Sequence, residues 1–100
     1  MDNPAVYLKL FVTGFTARSQ TAITNLKLLC EEEFGSDYKL EIIDVLEHPE
    51  LAENEKILAT PSLIRTLPPP IRRLIGDLTD KEKVLHSLDV VSGNRNSKPR

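Results

Sequence analysis

The chain holds few residues of the types that perform chemistry, and their spacing completes no reactive site. There is one cysteine, Cys30, and two histidines, His48 and His86. A lone cysteine has no intrachain disulfide partner, and with two scattered histidines it makes no metal-ligand spacing. His48 precedes a proline and suits a helix start, whereas His86 lies in a periodic apolar segment. Neither has a nucleophile or carboxylate at a set spacing, so neither is assigned a catalytic role. Asp44 closes an apolar run at the kind of strand end where α/β sheets gather ligands, or it is simply an exposed strand end. Thr16 and Ser19 in "TARS" carry hydroxyls favoured at helix N-caps, and Glu31, Glu32 and Glu33 read as a solvated helix end. Lys56, Arg65, Arg72 and Arg73 stand among apolar residues, a mixture that suits a protein interface with arginine anchors or else ordinary surface charge. No catalytic, cofactor-binding or metal-ligating residues are expected.

The elements that must position these groups are clear in the first half. "VYLKLFVTG" alternates through Val6, Leu8, Leu10 and Val12, with Tyr7 and Phe11 on the opposite face, as in a strand covered on both sides. From Thr16, the residues Ala22, Ile23, Leu26, Leu29 and Cys30 recur at helical spacing, and the helix ends near Gly35. Cys30 lies in that stripe and reads as a core residue, the alternative being a redox sensor. "YKLEIIDVL" is a second strand. Strand, helix and strand in this order form a βαβ unit with parallel strands.

The second half admits two readings. "HPELAENEKILA" has Pro49 at a first helical position but a thin apolar stripe of Leu51, Ala52 and Leu58. "SLIRTL" is too short to settle a period. Ile71, Leu74, Ile75 and Leu78 fall at helical spacing, yet the same segment could pair with "SLIRTL" as a hairpin. Thr79 and Glu82 have capping-box spacing ahead of Val84, Leu85, Leu88 and Val91, though "VLHSLDVV" also suits a strand. One ββα string and one ααβ string therefore fit Ser62 to Val91 about equally. Residues 1–91 are read as one domain and 92–100 as a flexible polar tail.

Composition narrows the function classes. One hundred residues with 40% hydrophobic content support one modest core, and a large enclosed active site is not expected. Thirteen basic against fifteen acidic residues give a formal charge of −2, which offers no general attraction to phosphate backbones or anionic lipid. No apolar run approaches the roughly 18 to 20 residues of a bilayer span, and the start lacks a basic leader and cleavage site. Neither nucleic acid nor membrane is an expected partner, and the expected location is cytoplasmic.

The order βαβ, then helix, strand, strand and helix, resembles the thioredoxin plan, with "ATPS" where that fold places a cis-proline, here Pro61. Thioredoxins keep C-x-x-C at the start of the first helix, where the helix N-terminus lowers a thiol pKa. Here that place reads "TARS", and hydroxyls cannot cycle between thiol and disulfide. A thioredoxin-like redox enzyme or sensor would have to use Cys30.

Three longer segments, "LKLFVTG", "IIDVLEHPELAENEKILATPSL" and "LPPPIRRLIGDLTDKEKVLHSLD", resemble the KaiB family of bacterial circadian clock proteins over about Tyr7 to Asp89. The joint occurrence of "EKILATP" and "LPPPIRRLIGDL" is far more specific than a generic thioredoxin pattern. The resemblance implies an α/β fold with a thioredoxin-like βαβ N-terminal half and a metamorphic C-terminal half, ααβ-like in an oligomeric ground state and ββα in the thioredoxin-like form. It implies a non-enzymatic protein without cofactors that binds the clock ATPase and kinase KaiC, and a homodimer or homotetramer in the ground state. The KaiC-facing helix of the binding-competent form would contain Lys56, Ile57, Leu58 and Ala59, with Arg65 and Arg72 as nearby basic contacts. Pro61, Pro68, Pro69 and Pro70 would sit at the joints where the second half is rebuilt, each fixed φ limiting the intermediates.

Three departures from the family pattern bear on the partners. Ser87 stands where cyanobacterial members usually carry glycine, "GNRNSKPR" replaces an acidic tail, and Glu41 reverses the charge on an edge strand that would be offered to KaiA. KaiA is a doubtful partner for this chain, and the expected role is in a clock or in a stress-response or signalling system.

Overall fold

A computed structural model describes residues 4–76, 78 and 80–87. Its elements are β1 (Val6–Val12), α1 (Ala17–Phe34), β2 (Tyr38–Asp44), α2 (Pro49–Asn54), β3 (Ser62–Leu67), β4 (Arg72–Ile75) and α3 (Lys81–Ser87). They build a four-stranded sheet in the order β2-β1-β3-β4. β1 and β2 run parallel, as the βαβ crossover requires, while β3 is antiparallel to both β1 and β4.

Alternation along the central strand divides the interior in two. Val6, Leu8, Leu10 and Val12 pack with Ala22, Leu26, Leu29 and Cys30 of α1, Val84 and Leu85 of α3, and Leu63. On the opposite face Phe11, Ile43 and Ile64 form a smaller cluster, joined by Val45 and Ile57. The sheet is thus covered on one face by two helices and on the other by the short α2 and the loop that follows it.

The second half adopts the ββα string. Ile71, Leu74, Ile75 and Leu78 do not share a helix face: Arg72–Ile75 pairs with β3 through Ser62↔Ile75, Leu63↔Leu74, Ile64↔Arg73 and Arg65↔Arg72. The reading of a helix through Lys56–Ala59 is corrected, because α2 ends at Asn54 and Lys56 turns to φ 57. A thin apolar stripe gives a longer helix little to bury, whereas leaving the helix lets Ile57 enter the second cluster. Asp80 caps α3, its Oδ1 accepting from the Lys83 amide at 3.2 Å. Thr79, Leu88, Val91, the domain end at 91 and the 92–100 tail lie outside the described residues.

Candidate functional site: the loop end of the sheet

Thr16 is the N-cap of α1, accepting from the Ser19 amide at 3.2 Å, so the place that would hold C-x-x-C serves to start the helix. Asp44 is similarly occupied. Its Oδ1 accepts from the Gly14 and Leu46 amides, both at 3.0 Å, which ties the end of β2 to the turn after β1. Gly14 holds φ 70 in that turn, a conformation that favours glycine. Cys30 is fully buried well inside α1, and its burial, reinforced by Glu31, pushes the thiol up to about 12. A neutral, inaccessible thiol is the opposite of a reactive one.

His48 occupies the N-cap position of α2 without a side-chain cap bond, and His86 is exposed on α3. The acidic run does not behave as one solvated end. Glu31 and Glu32 are exposed, but Glu33 is only 2% exposed. Lys81 of α3 reaches both Glu32, at 2.6 Å, and Glu33, at 3.6 Å, and those contacts raise its pKa. Lys81 thus links α3 to the end of α1, where the third carboxylate is enclosed. Among the described residues no three His, Cys, Asp or Glu side chains come together as a metal set.

What remains is a surface. The turn after β1, the turn after β2, the loop before β3 and the end of β4 all lie at one end of the sheet, and each presents an aliphatic or aromatic side chain to solvent. These are Phe15, Leu46, Leu58 and Ile75, of which Leu58 is 91% exposed. An exposed side chain of this kind is ordinary when single and informative when grouped. Beside Leu58 a depression of about 290 Å3 is lined by Thr13, Val45, Ala52 and Ile57 to Thr60. The loop is held firmly. The Thr13 and Thr60 hydroxyls lie 2.7 Å apart, Ser62 Oγ donates to the Ala59 carbonyl at 2.6 Å, and the Gly76 amide donates to the Pro61 carbonyl at 3.0 Å. Thr60–Pro61 is cis, as the sequence suggests, and so are Leu67–Pro68 and Pro69–Pro70.

The residues singled out from the sequence do not all meet here. Lys56 is exposed, Ile57 is turned inward, and Leu58 and Ala59 are exposed. Arg65 is only 3% exposed, and its Nη2 donates to the Pro70 carbonyl at 2.7 Å, so it braces the proline turn from within. Arg72 is exposed on the edge strand but pairs with Arg65, on the face opposite the Lys56–Ala59 loop and three residues, about 10 Å, from the β4 end. The arginine beside the loop is Arg73. Its Nη1 donates to the Glu55 carbonyl at 2.8 Å, and its Nη2 lies 3.5 Å from Glu55 Oε1. Sequence reasoning placed Arg73 among four basic residues but gave it no part in the site, because the pairing depends on a contact between distant elements.

A family model described as "KaiB domain" matches residues 9–90. The chain is 53% identical over 91 residues to "Circadian clock protein KaiB3" from Synechocystis sp., covering 91% of this chain and 89% of that one. It is 56% identical over 84 residues to "Circadian clock oscillator protein KaiB" from Microcystis aeruginosa, covering 84% and 81%. Among solved structures, the N-terminal domain of Synechococcus elongatus SasA superposes with a TM-score of 0.70 at 29% identity, covering 93% of this chain and 90% of that one. The germline thioredoxin Deadhead of Drosophila melanogaster reaches a TM-score of 0.69 at 18% identity over 88% and 81%, a likeness of fold.

Proposed function

The chain belongs to the KaiB family of circadian clock proteins, and from that premise we propose that it is a non-enzymatic binding protein that docks on a KaiC-like ATPase and modulates its output. The docking surface is the loop end of the sheet, with Lys56 and Leu58 at its centre and Phe15, Leu46 and Ile75 around them. The observation that carries this reading is Leu58, an aliphatic side chain 91% exposed on a loop fixed at both ends by hydrogen bonds. A rigid loop presenting an apolar residue beside a lysine has little ordering cost on association and a charge to orient an acidic partner.

Family membership carries the choice of partner, and the buried, neutral Cys30 weighs against the redox alternative. Self-association into a dimer or tetramer belongs to the same proposal, as the form from which the binding-competent chain is drawn. Mixing the chain with the KaiC homologue of its own organism and ATP, then measuring mass by size exclusion over several hours, tests the reading. A complex weakened more than about tenfold by Lys56→Glu is expected. Unchanged affinity in a folded Lys56→Glu chain removes that residue from the surface, and no complex at any time overturns the choice of partner.

A further inference from the structure

We propose that Arg73 is a positioning residue that fixes the shape of the Lys56–Ala59 loop by holding Glu55 from β4. The inference rests on the docking surface proposed above, and one of its readouts is independent of any partner.

The register places Lys9, Ile64 and Arg73 in one row across β1, β3 and β4, through the pairs Lys9↔Ile64 and Ile64↔Arg73. This row lies on the face of the second cluster, where Ile64 is buried. Glu55, the C-cap of α2, reaches both cations that flank it: Lys9 Nζ lies 3.8 Å from Oε2 and Arg73 Nη2 lies 3.5 Å from Oε1. The same guanidinium donates through Nη1 to the Glu55 main-chain carbonyl at 2.8 Å. One arginine thus holds both the side chain and the backbone of the residue at which the helix stops.

Partly exposed ion pairs alone contribute little. Here the guanidinium also satisfies a carbonyl at a helix C-terminus, where such groups lack helical partners. The next residue, Lys56, takes φ 57, and the Ile57 amide then donates to the Ala52 carbonyl at 2.9 Å. Those two steps bury the Ile57 side chain against the second cluster and leave Leu58 outside. The direction in which Leu58 points is set at Glu55, and Glu55 is set from β4.

The coupling has a structural condition. Arg73 stands beside Glu55 because Arg72–Ile75 is a strand paired with β3. In a chain where that segment read as helix, with Ile71, Leu74, Ile75 and Leu78 on one face, Arg73 would leave the Lys9–Ile64 row. The loop would lose its anchor without any change in its own sequence.

The test compares Arg73→Met, Arg73→Lys, Glu55→Gln and the Arg73→Met/Glu55→Gln double variant. The first readout is amide hydrogen exchange of the free chain at Ile57, with the Leu10 and Leu63 amides as reference for the fold. Loss of the clamp is expected to speed Ile57 exchange by about five- to tenfold in Arg73→Met with the reference amides unchanged, and Arg73→Lys is expected to recover part of it. The second readout is affinity for the KaiC homologue, expected to fall by a similar factor in Arg73→Met, with the double variant no weaker than Arg73→Met. Additive losses would show that Arg73 touches the partner itself and overturn the positioning role, as would Ile57 exchange at the unsubstituted rate. Faster Ile57 exchange with undiminished binding would leave the clamp standing and sink the docking surface on which it acts. Should Arg73→Met fail to fold, Arg73→Gln, which removes the guanidinium from the Glu55 carbonyl and carboxylate but keeps a polar side chain, would overturn the proposal if Ile57 exchanged at the unsubstituted rate.

Discussion

Leu58 is the most exposed of the large hydrophobic side chains among the described residues, and the residue scale is where its role is most easily tested. Because nothing of the core rests on it, Leu58→Asp should leave the melting temperature within a degree or two while weakening the proposed complex by more than about tenfold, as truncation of a central interface residue commonly does. Calorimetry and a titration by fluorescence anisotropy check both halves. Cys30 makes the opposite prediction. Enclosed among Leu26, Leu29 and the sheet, it should resist a thiol reagent at neutral pH until denaturant opens the fold. The sign of its pH linkage follows from its raised pKa. The unfolded thiol ionises above about 9 and the folded thiol only at about 12, so stability from this group is fully present below pH 9 and falls progressively between 9 and 12. Urea titrations across that window, with Cys30→Ala as reference, isolate the contribution, and labelling of the native thiol at pH 7 would revive a redox role.

At the scale of elements, α3 and β4 decide the arrangement. Leu85 is buried in the cluster that α3 shares with α1 and the sheet, and Lys81 joins the two helices through Glu32 and Glu33. Leu85→Ala should therefore destabilise the chain by about 2 to 4 kcal/mol and, by loosening the ββα half, also reduce the population able to dock. A stability loss below 1 kcal/mol in chemical unfolding would contradict the packing described here. β1, α1 and β2 were legible from periodicity because each is long enough for its own pattern to decide, seven, eighteen and seven residues. β4 has four residues, and Ile71, Leu74, Ile75 and Leu78 satisfy helical spacing as well as a strand's demands. Its state is set by pairing with β3, which is itself set by pairing with β1, and no window of local sequence contains that information. The site divides in the same way. "EKILATP" marks the loop, whereas the contact of Arg73 with Glu55 joins residues 18 apart and needs the sheet to exist first. Arg65 misled for the same reason: an arginine between apolar residues fits both an interface and a buried brace, and only the Pro70 carbonyl distinguishes them.

At the scale of the whole molecule, the described residues form a four-stranded sheet in which Thr16 and Asp44 hold turns, Cys30 is buried, and the exposed Phe15, Leu46, Leu58 and Ile75 gather at one end. If self-association stabilises a second arrangement of Ser62 to Ser87, dilution should shift the population toward the ββα form and speed complex formation, since mass action acts only on the state that associates. Complex formation whose rate is the same across a hundredfold range of concentration would contradict a self-associated reservoir. The most direct measurement is sedimentation velocity of the chain mixed with the KaiC homologue and ATP, followed for several hours beside Lys56→Glu and Leu58→Asp. The account predicts a heavier boundary that grows slowly with the unsubstituted chain and is much reduced with either variant. A boundary that never forms, or one that forms equally with both variants, would contradict it.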